Sequence, residues 1–229
     1  MNELYTEAAR VLHDSDAILI GASNGLSIAE GYNIFADNEM FRQQFGDFQR
    51  KYGIRCLLEG FFFHYPSNAD RQEFIDRAVK YWVKDYIPTD VMKDLRAIVS
   101  GKDYFVLTTN GDTHLELSGF NPEKVFEIEN TFVRIAKGMP VEDKSKQFQN
   151  FLATHAGKNI AILELGIGRA NRIVKPVLFH VAQTEPNSVF ISMNMPQEIS
   201  LPPQPKRHPV QLPGDISFTL KNILKTDEI

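Results

Sequence analysis

With 229 residues, 43% of them hydrophobic and 24% charged, the chain has the make-up of an ordinary globular protein, long enough for one sizeable core and a modest insertion. A formal charge of -4 and a pI near 5.9 provide no long-range attraction for nucleic acid or an anionic membrane, so neither is an expected partner. A single cysteine, Cys56, excludes an intrachain disulfide and a cysteine-bound zinc site; with no signal pattern at the start and no apolar run of about 20 residues, the expected setting is a reducing cytoplasm.

Leu4, Ala8, Val11 and Leu12 recur at helical spacing, and Ser15 and Asp16 break the pattern before the apolar run Ile18-Leu19-Ile20. That run ends in Gly21-Ala22-Ser23-Asn24-Gly25-Leu26-Ser27, which reads as a strand, a tight turn and the start of a helix. Gly21 and Gly25 allow positive φ or close approach of a ligand, while Ser23, Asn24 and Ser27 set short polar groups beside free N–H groups, an arrangement suited to phosphate. The same residues suit a turn that merely bends the backbone, and their spacing is not G-x-G-x-x-G.

Residues 36–86 are helical in pattern and dense in aromatics, among them Phe41, Phe45, Phe48, Phe61, Phe62, Phe63, Phe74 and Trp82. The expected organisation is a helical insertion, 36–89, within a main domain formed by 1–35 and 90–229. Its aromatics either pack a core of their own or line a ligand cleft at the seam. An amphipathic helix over 90–100 leads to the buried strand Tyr104-Phe105-Val106-Leu107, which stops at Thr108-Thr109-Asn110-Gly111-Asp112-Thr113-His114. Polar side chains just past the end of a buried strand lie where open α/β sheets bind ligands, although Asn110 and Asp112 would also serve as cap and turn residues.

A short strand over 125–128 follows, with Glu129 and Asn130 behind it and a mobile or helical connection over 144–155. The buried strand 159–165 closes on Gly166-Ile167-Gly168. A helix over 173–182, a strand over 188–194, the excursion Pro202-Pro203-Gln204-Pro205 and a terminal helix after Gly214-Asp215-Ile216 complete the chain. This alternation predicts an α/β fold: a doubly wound, mostly parallel Rossmann-like sheet with a small helical insertion.

In that order the segments resemble the sirtuin (Sir2) family: Gly25, Ser27 and Gly31 in the first turn, Thr108-Thr109-Asn110-Gly111-Asp112 for its T-Q-N-x-D segment, Gly166 to Gly168 for its second phosphate turn, and Asn194 after Phe190-Ile191. Closer still is the resemblance to class M, the macrodomain-associated branch, in Leu26-Ser27-Ile28-Ala29-Glu30-Gly31-Tyr32, Gly101-Lys102-Asp103-Tyr104, Gly119-Phe120-Asn121-Pro122-Glu123-Lys124-Val125-Phe126 and Glu164-Leu165-Gly166-Ile167-Gly168. The resemblance implies an NAD-dependent enzyme that cleaves the nicotinamide glycosidic bond. For class M it implies transfer of ADP-ribose to a protein acceptor, typically a lipoyl-carrier protein. It implies that Ser23, Asn24, Gly25 and Ser27 cradle the pyrophosphate, with Gly21, Ala22 and Thr108 among the cofactor-binding residues. By the same resemblance Asn110 orients the nicotinamide ribose and Asp112 holds the carboxamide. Gly166, Gly168 and Asn194 line the adenosine, Asp215 and Ile216 border the adenine, and Tyr32 and Phe35 belong to the loop over the cofactor.

Two features depart from the family. Glu129 stands where sirtuins have histidine and class M members glutamine, and a short connection over 133–158 replaces the cysteine-bound zinc module. A carboxylate about 4 Å from the positive charge that develops on the ribose attracts it by roughly 4 kcal/mol before desolvation, so Glu129 is compatible with catalysis and could serve as a general base on an acceptor. The other readings are an NAD-dependent lysine deacylase, disfavoured by the missing histidine, and a catalytically silent NAD- or ADP-ribose-binding module in which Glu129 is a solvated loop carboxylate. No metal is expected: His64, His114, His155 and His180 have no ligand spacing and read as surface or core histidines, and Cys56 as a small buried hydrophobe.

Overall fold

A run that is apolar at successive positions has no face to give to water, so it belongs at the centre of a sheet covered on both sides. In the computed structural model, which describes residues 3–226, β1 (Ala17–Ala22) is buried throughout. It lies between β2 (Asp103–Thr108) and β4 (Ile160–Leu165). Beyond them, β3 (Val125–Glu127) flanks β2, while β5 (Val189–Asn194) and β6 (Val210–Pro213) extend the other side. The order is β3-β2-β1-β4-β5-β6, and every pairing is parallel. The expected doubly wound α/β sheet is therefore present, and among the described residues it is wholly parallel.

The pattern along the chain does not announce β6. Its four residues alternate buried Val210 and Leu212 with exposed Gln211 and Pro213, too short a pattern to stand out behind the prolines, and Pro213 is tolerated because the strand forms the sheet edge. The connection over 144–155 is helical, from Ser145 to His155.

Strand alternation divides the core. Ile18, Ile20 and Ala22 of β1 and Ala161, Leu163 and Leu165 of β4 face α1 (Glu3–Asp14), α6 (Asp90–Ile98) and α11 (Ile216–Leu224), meeting Leu12, Leu95 and Leu220. Ala17, Leu19, Ile160 and Ile162 point the other way, onto Phe151 of α9 (Ser145–His155) and Leu178 of α10 (Val174–Thr184). Asp215 caps α11 by accepting from the Phe218 N–H at 2.8 Å, a contribution of about 1 kcal/mol.

Between β1 and β2 the chain runs through α2 (Asn24–Ala29), α3 (Glu39–Tyr52), α4 (Leu57–Phe62) and α5 (Asn68–Val79), the last continuing as a π turn over Lys80–Lys84. Phe41, Phe45, Phe48, Leu57, Phe74 and Trp82 form a separate aromatic cluster, with the Phe45 and Phe74 ring centres 4.7 Å apart. Gly60 lies on the Phe74 ring; a Cβ there would come within 1.9 Å of it. Most of these aromatics thus pack a core of their own, and burying one is worth about 3–5 kcal/mol by the usual cost of truncating it.

Candidate active site

The strand order reverses between β1 and β4, and the loops at the carboxyl ends of those strands meet there. The Ser23 N–H donates to the Leu165 carbonyl at 3.3 Å and the Gly25 N–H to the Gly166 carbonyl at 3.0 Å. A Cβ on Gly25 would stand 2.5 Å from the Gly166 Cα, so only glycine lets these turns touch. Gly166 also holds a left-handed φ of 61°; Gly21 and Gly25, expected to allow positive φ, do not adopt it and are required by close approach alone.

Above this floor opens a cleft of about 570 Å³, whose lining includes Ser23, Asn24, Gly25, Phe35, Gly166, Gly168, Asn194, Asp215 and Ile216. A second cleft of about 310 Å³ adjoins it, with Asn24 and Phe35 on both walls. Its polar side carries Asn110, Asp112, Glu129 and Asn130, and its apolar side Leu58, Phe61, Phe62, Phe132 and Ile135. The three residues expected to be catalytic therefore share one cleft.

Five expected cofactor residues stand behind these walls rather than on them. Gly21 packs against Leu178, where a Cβ would approach within 2.3 Å, and Ala22 is fully buried in β1. Tyr32 sits edge-on to Trp82 and His114, at ring-centre distances of 5.3 and 4.6 Å. The Thr108 Oγ1 accepts from the Asn110 N–H at 3.0 Å. Ser27 is buried beneath the turn, where its hydroxyl donates to Asp112 Oδ2 at 2.6 Å and accepts from Asn110 Nδ2 at 2.9 Å.

That last pair orders the site. Asn110 Nδ2 also donates to the Ser23 carbonyl at 3.2 Å, so the amide nitrogen is committed to the first turn. Asn110 Oδ1 is buried with no hydrogen-bond partner, and such a group in a cleft wall calls for an incoming donor. Asp112 is held in turn: its Oδ1 accepts from the His114 N–H at 3.1 Å. Glu129 follows β3 on an exposed turn at the rim.

Under the second turn, Glu164 is wholly buried on β4. It accepts from the Ser192 hydroxyl, from Asn194 Nδ2 at 3.1 Å and from the Ile167 N–H at 2.9 Å, with Lys175 Nζ 3.9 Å away. Burial pushes its carboxyl above the ordinary range, against the lowering pull of Lys175 and these donors. Asn194 also donates to the Ile167 carbonyl at 2.9 Å, so its side chain braces the turn as well as lining the cleft.

Asn171 and Glu198 also line the first cleft, though neither is among the residues expected there. Asn171 had a signal: it stands just before the apolar helix pattern, and its Oδ1 accepts the N–H groups of Ile173, Val174 and Lys175 at 2.8–3.3 Å. Glu198 had none, because it reaches the Arg169 N–H across 29 residues. Among the described residues no three His, Cys, Asp or Glu side chains gather as a metal site, and no helix is long and apolar enough to cross a membrane.

The architecture is similar to that of a solved chain from work on the mechanism and regulation of Sir2 enzymes, with a TM-score of 0.58 and 14% identity over 98% of each chain. A chain from work on sirtuin substrate affinity gives 0.59 and 13%, again over 98% of each. The chain has the sirtuin fold. The resemblance drawn from the motifs therefore holds for the architecture that carries them. In sequence, the chain is 22% identical over 282 residues to a protein ADP-ribosyltransferase of Staphylococcus aureus, covering 97% of this chain and 89% of that protein. No family model matches the sequence.

Proposed function

We propose that this chain is a sirtuin-like, NAD-dependent protein ADP-ribosyltransferase. The observation that carries the reading is Asn110: its amide nitrogen is committed to Ser23 and Ser27, and its buried Oδ1 has no partner in the wall of the second cleft. A sugar hydroxyl is the donor such an acceptor needs. The glycine floor is a second point of fit, since the two turns beneath the cleft close on each other only because neither Gly25 nor Gly166 carries a Cβ. The name of the staphylococcal relative supports the choice of transfer over other sirtuin chemistry.

NAD, when bound, supplies an activated glycosidic bond with nicotinamide as leaving group. The backbone of the Ser23–Gly25 and Gly166–Gly168 turns would hold its pyrophosphate, with Asn194, Asp215 and Ile216 toward the adenosine. Asn110 would accept from the nicotinamide ribose and Asp112 from the carboxamide. Glu129, on the rim of the same cleft, would favour positive charge developing on the ribose and take a proton from the acceptor. Phe35, on both clefts, would separate the reacting bond from water. In this reading 1–35 and 90–229 form the NAD-binding body, and the insertion 36–89 supplies Leu58, Phe61 and Phe62 to an apolar acceptor wall. Such a wall suits an acceptor with an apolar arm, of which a lipoyl-carrier protein is the first to try.

The test is nicotinamide release from NAD by the purified protein alone, with an acetyl-lysine peptide, and with a lipoylated carrier protein followed by intact mass. An added ADP-ribose mass on the carrier is the expected result. Deacetylation of the peptide would make the protein a deacylase. Binding of NAD or ADP-ribose without nicotinamide release in any sample would make it a binding module.

A further inference from the structure

His114 begins the short helix α7 (His114–Leu117) directly after the Asn110–Asp112 segment and is fully buried. Its Nδ1 lies 3.0 Å from Glu30 Oε2 and its Nε2 lies 2.8 Å from the Trp82 carbonyl oxygen. The hydrogen-bond inventory places the first proton. A carbonyl oxygen only accepts, so Nε2 carries a hydrogen. Glu30 Oε1 already accepts from the Tyr86 hydroxyl at 2.6 Å and the Thr89 hydroxyl at 2.8 Å, and its Oε2 faces Nδ1, an arrangement of acceptors that favours a proton on Nδ1 as well. Asp112 Oδ2 stands a further 3.8 Å from Nδ1. The ring assigned by this network is an imidazolium, stacked on Tyr86 at 3.8 Å between ring centres.

The same residue governs the backbone that presents Asp112. The His114 N–H donates to Asp112 Oδ1, and between them Thr113 holds φ 59°, a left-handed conformation unfavourable for a β-branched residue. The turn is kept there by what anchors its two ends: Ser27 on Asp112, and Glu30 with Trp82 on His114.

We infer that His114 is a positioning residue for the nicotinamide end of the site: protonated and clamped between Glu30 and the Trp82 carbonyl, it sets the turn and the electrostatic surroundings of Asp112, and the site loses its working geometry when the ring gives up a proton. The inference rests on the reading of Asp112 as the carboxamide-binding residue. A neutral ring has one N–H and cannot donate to both the Trp82 carbonyl and Glu30 Oε2, which face its two nitrogens in buried surroundings. The groups facing the ring are Glu30 from the end of α2, Asp112 from the β2 loop, Tyr32 from the loop after α2 and Tyr86 from the segment after the π turn. Burial and neighbouring carboxylates hold both tyrosines above their ordinary range and hence neutral. For the ring, burial alone would lower the affinity for a proton, but Asp112 and Glu30 outweigh it and raise the value above that of free histidine.

The test follows the ring and the reaction together in the full chain. Imidazole nitrogen resonances report protonation across the neutral and alkaline range, and nicotinamide release from NAD gives kcat and KM at the same pH values. Both ring nitrogens should be protonated at neutral pH, and kcat should fall as the ring titrates while KM changes by less than about twofold. Glu30→Gln, whose amide can donate to a neutral Nδ1, should move the ring titration and the activity limb downward together by about one pH unit, tenfold in proton affinity. His114→Gln should abolish the limb; if it does not fold, Glu30→Gln decides alone. A ring that is neutral at neutral pH, or a limb that stays in place in Glu30→Gln while the ring moves, overturns the inference. Should the unmodified chain release no nicotinamide at any pH, alone or with either acceptor, the transferase reading fails, and nicotinamide affinity replaces kcat: it must follow the ring, and a flat affinity overturns the inference.

Discussion

The Gly25 N–H donates to the Gly166 carbonyl at 3.0 Å, and the two residues approach so closely that a Cβ on either would stand 2.5 Å from the other's Cα. Backbone cannot give way as the end of a side chain can. Gly25→Ala should cost about 1–3 kcal/mol in denaturant unfolding and weaken NAD binding at least tenfold. Gly168→Ala, where the nearest atom is the Glu198 carboxylate at 3.5 Å, should change stability by less than about 0.5 kcal/mol.

Asn110→Ala removes the partnerless Oδ1 together with two donor bonds. Nicotinamide release should fall by about two to three orders of magnitude, roughly 2.7–4 kcal/mol, for a loss of only about 1 kcal/mol in stability. A rate within a factor of about two of the unmodified chain would remove Asn110 from the mechanism.

Glu129 is exposed on its turn and makes no contact that the fold depends on. Glu129→Gln should leave the melting temperature and NAD affinity unchanged and slow transfer to the acceptor by about tenfold, because an amide neither takes a proton nor offers a full charge. Unchanged transfer would mean that a neutral side chain suffices at this position.

Glu116 and Glu127 bring two carboxyl groups together behind the site, and Glu116 Oε2 and Glu127 Oε1 are buried without a hydrogen-bond partner. Burial first, and then the adjacent Glu127 carboxylate, push Glu116 up to about 9, with Lys144 pulling the other way. Between the ordinary glutamate value and about 9 the folded chain keeps a proton that the unfolded chain has released, so stability should decline as pH rises across that window. Glu116→Gln should flatten this decline in denaturant melts taken at several pH values; an unchanged slope would place its origin elsewhere.

What the sequence determined by itself was whatever depends on neighbours along the chain. Apolar runs such as Ile18 to Ile20 and Ile160 to Leu163 announced buried strands, and the polar residues following Leu107 and the glycines following Leu165 announced loops at strand ends, which a parallel sheet necessarily gathers on one edge. The resemblance in those loops supplied roles that periodicity could not. Only the tertiary structure decided which polar residues of those loops face the clefts and which stand behind them. Ser27 and Asn24 are three residues apart on one turn, yet α2 turns Asn24 to both clefts and Ser27 inward onto Asp112, 85 residues away. His114 read as an ordinary histidine because its partners, Glu30 and the Trp82 carbonyl, lie 84 and 32 residues off, and β6 was hidden because four alternating residues become a strand only when β5 offers an edge. Local pattern encodes burial; the charge on a side chain and the face it turns to a ligand are set by contacts that exist only once the chain has folded.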